Sequence, residues 1–152
     1  MKEFDYISGP GDVLDFVLEL MDADGNVSEV KEKEQLRVEV ESESDEERLI
    51  GHRFETLESL QYLLGVMQAV AGEEGQVYLD VNKRREERDS KVKETGLDLV
   101  DEALDYGEAA RSKMLLPSER RVIHRLAEVE GGVRTYSVGD GLRKVVVIEP
   151  LE

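Results

Sequence analysis

The sequence predicts an α+β protein built from two small domains. Two observations carry this. Stretches whose apolar residues recur every three or four positions are interleaved with short stretches that alternate apolar and charged residues, and these fall into two successive sets of helices with strands. The charge character also changes near residue 82, where an acidic front gives way to a basic run. The expected domains are 1–82 and 83–152, the second including a linking helix.

In the first set, Gly9-Pro10-Gly11 breaks the chain, and Asp12 is placed to cap a helix through about Met21. Val13, Phe16, Val17, Leu20 and Met21 give that helix its apolar face. Asp22-Ala23-Asp24-Gly25-Asn26 ends it as a plain turn, because no Glu stands at the last ligand position of a calcium loop. Val27–Val30 is a short strand, and Gln35–Glu41 alternates as a half-buried strand does. A polar turn leads to a short helix at 46–50, and then to Gly51-His52-Arg53-Phe54. Leu57, Leu60, Leu63, Leu64 and Met67 mark a helix from Thr56 to about Val70, and Gln76–Val81 is a strand.

In the second set, a charged helix runs from Lys83 toward Tyr106, with Gly96 as an interruption worth about 1 kcal/mol against alanine. Arg111–Leu116 is a strand candidate. Pro117 and Ser118 start a helix with Glu119 in its first turn and Val122, Ile123, Leu126 and Ala127 as its apolar stripe. Val133–Val138 and Arg143–Glu149 are two more strands around a Gly139-Asp140-Gly141 turn.

Composition bounds the chemistry. There is no cysteine, hence no disulfide, thiolate nucleophile or Cys-ligated zinc. No apolar run reaches the roughly 20 residues of a membrane span, and Met1-Lys2-Glu3-Phe4 shows no signal peptide, so a cytoplasmic location without membrane insertion is expected. His52 and His124 are far apart, and no Ser/His/Asp set, HExxH or phosphate-binding Gly-rich loop occurs. The expectation is a protein that is not an enzyme, with no cofactor and no metal.

The net charge of −16 argues against nucleic acid only if it is averaged over the chain. Residues 1–47 carry 4 Lys/Arg against 16 Asp/Glu, residues 82–93 carry 6 against 3, and residues 109–148 carry 8 against 4. Arg120 and His124 are four apart and share a helix face, with Arg121 and Arg125 one position round and Lys113 on the preceding strand. Arg84, Arg85 and Arg88, with Lys83, form a second basic patch. For both groups a solvated helix face is the plain alternative.

The order helix, two strands, short helix, tight turn, helix, strand matches a type II KH fold. Leu49-Ile50-Gly51-His52-Arg53-Phe54-Glu55-Thr56-Leu57-Glu58-Ser59-Leu60-Gln61-Tyr62-Leu63 resembles the KH segment of the bacterial Jag family (SpoIIIJ-associated proteins). The Arg120-x-x-x-His124 spacing resembles the R-3-H domain that follows KH in that family, and Leu79–Arg88, Thr135–Gly139 and Arg143–Ile148 are similar as well. The resemblance covers about residues 10 to 150. It implies a type II KH domain followed by a small α+β R-3-H domain that binds single-stranded RNA, or single-stranded DNA. It also implies a role in post-transcriptional regulation linked to cell elongation or division, with a second KH protein or self-association as further partners.

The family's Gly-x-x-Gly loop is altered here. Its second glycine is Phe54, and the first middle position, commonly lysine, is His52; Gly51 and Arg53 remain. Glycines let the backbone approach phosphates closely, so Phe54 either blocks the clamp or stacks on a base. Jag proteins often carry a further N-terminal domain and a basic linker, which do not precede Met1-Lys2 here. The sequence leaves two functions open. The protein contacts RNA backbone through Arg120 and His124, or it is an interaction adaptor whose KH surface has lost RNA binding.

Overall fold

The first helix, α1 (Pro10–Leu20), opens on a proline, whose missing amide costs nothing at a helix start. The computed structural model describes residues 8–151, so the reading of Met1–Phe4 lies outside the described residues. Gly9 is the N-cap, and Asp12, expected as the cap, sits in the first turn. Its carboxylate instead accepts the Ser8 N–H at 2.9 Å and the Ser8 hydroxyl at 2.6 Å. Pro10, with its fixed φ, moves the start three residues upstream, from a cap at Asp12 to one at Gly9.

The chain divides into two compact units, Met1–Arg85 and Glu86–Glu152. In the first, β1 (Asn26–Lys31) and β2 (Gln35–Glu41) form an antiparallel hairpin, and β3 (Gln76–Val81) adds parallel to β2. The register pairs Val38 with Leu79. Between β2 and β3 lie α2 (Glu46–Ile50), one 3-10 turn (His52–Phe54) and α3 (Glu55–Val70). Strand alternation sends Leu36, Val38 and Val40 inward, where they meet Val13, Leu14 and Leu18 of α1 and Leu57, Leu60 and Leu64 of α3. The Asp22–Asn26 turn is locked by Asp24, whose carboxylate accepts the Glu43 N–H at 2.8 Å and the Ser44 N–H at 3.3 Å. Those amides hold its pKa below the usual carboxylate range.

The second unit follows from α4 (Arg84–Tyr106), whose first two residues fall in the first unit. Gly96 does not interrupt α4. A Cβ there would lie 2.9 Å from Leu126 Cδ2 and 3.4 Å from Ile123 Cγ1, so the glycine lets α4 approach the next helix closely. β4 (Ala110–Leu115), α5 (Pro117–Glu130), β5 (Val133–Val138) and β6 (Lys144–Pro150) complete the unit. The sheet is antiparallel in the order β4-β6-β5. Val92, Val100 and Ala103 of α4, Ile123 and Ala127 of α5, and Val146 and Ile148 of β6 form its core. The architecture is therefore mixed α+β with two small sheets. Among the described residues no helix is long and apolar enough to cross a membrane, and no His/Asp/Glu group could hold a metal ion.

Candidate nucleic-acid interface

Helix α5 is set by its start. Pro117 occupies the first helical position, and Glu119 Oε2 accepts the Leu116 N–H at 2.7 Å. Burial of Ile123, Leu126 and Ala127 against the sheet then fixes which way the helix turns. Arg120 and His124 fall on the flank that faces β5. The sequence suggests that both point outward, but both are half-buried.

Strand β5 turns Thr135 and Ser137 toward that flank, while Arg134 and Tyr136 reach Glu149. His124 Nδ1 lies 2.7 Å from Thr135 Oγ1, and Nε2 lies 3.2 Å from Ser137 Oγ. Arg120 Nη1–H donates to the same Ser137 Oγ at 3.1 Å. The Arg120 Nε is buried and has no hydrogen-bond partner among the described residues. Burial, and then the adjacent Arg120 charge, lower the His124 pKa from its ordinary value; Glu128 opposes them. A neutral imidazole and a cationic fork thus converge on two hydroxyls. Such a set suits phosphate oxygens, which accept hydrogen bonds and carry negative charge.

Arg121 and Arg125 are exposed on the next face of α5 and extend the positive surface. Lys113 is exposed too, but it lies on β4, and β6 separates that strand from β5. The strand order, which local periodicity does not reveal, therefore removes Lys113 from the immediate site.

Residues 90–150 match the R-3-H domain family. Arg120, His124, Thr135 and Ser137 all lie inside the matched segment. The chain is also similar to the RNA-binding protein KhpB of Streptococcus pneumoniae, from the serotype 2 strain D39 and from strain R6. Each is 24% identical over 134 residues, covering 88% of this chain. The chain spans 40% of the length of these relatives.

Ahead of the R-3-H segment, the expected patch of Arg84, Arg85 and Arg88 does not form. Arg85 is only 3% exposed. Its guanidinium stacks on the Tyr78 ring at 4.4 Å from the centroid and donates to the Leu79 carbonyl at 3.1 Å and to the Gln61 amide oxygen. Arg84 pairs with Glu46 at 2.9 Å. The Arg88 side chain is 10% exposed and donates to Ser118 Oγ at 3.0 Å and to Asp89 at 3.1 Å. The three arginines share one side of the start of α4, but carboxylate, carbonyl, amide or hydroxyl partners took each one.

The 51–54 loop keeps an unusual backbone. Gly51 has φ +72°, Arg53 φ +51° and Phe54 φ +65°, so the position of the second glycine retains a left-handed conformation under a phenylalanine. His52 and Arg53 are exposed, whereas Phe54 is half-buried and packs against the core of the first unit. The ring is committed inward, which disfavours its use as a stacking platform. Thr135 and Ser137 escaped the sequence reading. Their signal is polar side chains at the inward positions of an alternating strand, where apolar ones are the rule.

Proposed function

We propose that this is an RNA-binding protein that holds the backbone of single-stranded RNA at the α5–β5 site of its R-3-H segment. The observation that carries the reading is the convergence of Arg120 and His124 with Ser137 inside the matched segment. The name of the KhpB relatives supports RNA as the ligand. Single-stranded DNA offers the same phosphates. In this reading the first unit is a type II KH domain, supported by its element order, its parallel β2–β3 pairing and its tight turn between α2 and α3. The 51–54 loop is a clamp altered by Phe54. The protein catalyses no reaction and acts in the cytoplasm as a post-transcriptional regulator linked to cell elongation or division.

Binding of a labelled single-stranded oligonucleotide tests this. Arg120→Ala should weaken binding by about 1–3 kcal/mol, the scale of a charge-assisted hydrogen bond, and lower the salt slope by about one. Unchanged affinity with an intact circular dichroism spectrum would remove the site.

A second reading, an interaction adaptor, has one specific observation behind it. Tyr62, Leu63, Val66, Met67 and Val70 are exposed along α3, Tyr62 by 76%. Binding by an apolar surface of this kind is insensitive to salt, whereas phosphate binding weakens steeply. A salt titration therefore separates the two.

A further inference from the structure

We propose that the Thr135 and Ser137 hydroxyls of β5 are themselves part of the phosphate-binding surface, and that His124 is a positioning residue that orients them. The proposal rests on the α5–β5 reading above and names the atoms that do the binding.

The geometry leaves His124 little capacity of its own. Both ring nitrogens are already engaged, Nδ1 with Thr135 and Nε2 with Ser137. A neutral imidazole has one N–H donor and one acceptor nitrogen. If Nδ1 carries the proton, it donates to Thr135, and the Ser137 hydroxyl donates into Nε2. The Thr135 hydroxyl hydrogen is then left to point outward. If Nε2 carries the proton, the roles exchange and the Ser137 hydrogen is left over. In either tautomer Arg120 Nη1–H donates to Ser137 Oγ. The network therefore presents one outward hydroxyl donor beside the Arg120 guanidinium, and a phosphate oxygen needs donors only. A protonated imidazole donates from both nitrogens, so both hydroxyl hydrogens turn outward. The charged groups facing the ring are Arg120 and Glu128 of α5; β5 contributes the two hydroxyls.

The test uses the full chain, fluorescein-labelled oligouridine and fluorescence anisotropy at low salt, with circular dichroism on every variant. Thr135→Val keeps the shape and removes the hydroxyl, and Ser137→Ala removes the other. Each single change leaves the other hydroxyl to present its hydrogen and should cost less than about threefold, whereas the Thr135→Val/Ser137→Ala pair should weaken binding by about three- to tenfold, the range of one neutral hydrogen bond. Thr135→Ser keeps the hydroxyl and should bind within about twofold of the parent. Parent binding should strengthen from pH 7.5 to pH 5.5, and the Thr135→Val/Ser137→Ala pair should show a clearly smaller dependence, because only the imidazolium charge remains to act. If the pair binds as the parent does while Arg120→Ala binds weakly, the hydroxyl proposal is overturned and the site reading stands. A pH dependence as large in the pair as in the parent also overturns it, because the imidazolium charge alone then accounts for the effect. If Arg120→Ala binds like the parent, or the parent does not bind, the site reading fails and takes this proposal with it.

Discussion

Gly51 closes α2 with φ +72°, and an added Cβ would overlap the Thr56 side chain and lie 2.9 Å from the Thr56 backbone nitrogen. Neither the backbone nor the space suits another residue. Gly51→Ala should lower unfolding free energy by about 1–3 kcal/mol in urea titration. Phe54 shows the opposite compromise. Its left-handed backbone costs about 1–2 kcal/mol, and its half-buried ring returns a similar amount. Phe54→Gly should therefore change stability by less than about 1 kcal/mol. If the ring blocks the clamp, the same change strengthens oligonucleotide binding; weaker binding would show that the ring itself meets RNA. His124 carries a pH signature. Its folded pKa is lowered, so the unfolded chain binds the proton more readily. Its contribution is fully present above the ordinary imidazole value of 6.5 and is lost as pH falls through the folded value. His124→Gln should flatten that part of the curve of melting temperature against pH.

Helices and strands set what those residues can do. Along α4, spacing alone makes Gly96 a weak point, yet its place against Leu126 and Ile123 makes it a contact. Gly96→Val should destabilise the protein by about 1–3 kcal/mol through overpacking, measurable by thermal melting. An unchanged melting temperature would mean that α5 has room to move. The strand β5 was legible beside the Gly139–Gly141 turn, but its partner was not. A strand's inward residues are known only once the face that carries the helix is known, and the order β4-β6-β5 supplies that. Thr135 and Ser137 became site residues, and Lys113 ceased to be one, for this single reason.

Across the whole chain, charge is divided unequally. The unit Met1–Arg85 has 9 Lys/Arg against 21 Asp/Glu, and Glu86–Glu152 has 11 against 15. Most of the net negative charge, −12 against −4, therefore lies in the first unit. A fragment 86–152 retains the whole second core. It should bind single-stranded RNA more tightly than the full chain at low salt, and the difference should shrink as ionic strength rises past about 0.15 M, where screening acts within about 8 Å. Equal affinity at all salt concentrations would show that the acidic front does not act on this site.

The element order, the α+β class and the helix that presents Arg120 and His124 were all legible in the amino-acid order. Each follows from local periodicity, from Pro117 and from spacing along one helix, which operate over a few neighbouring residues. Helix α2 and strands β2 and β3 were legible nearly to the residue, because alternation and turn residues bound them closely. Folding alone put Arg85 on Tyr78, turned Phe54 inward, made Gly96 a contact and set two β5 hydroxyls against His124. Each of those depends on a partner from another segment of the chain. A charge or hydroxyl is spent or kept available according to that partner, and spacing within one segment carries no information about it.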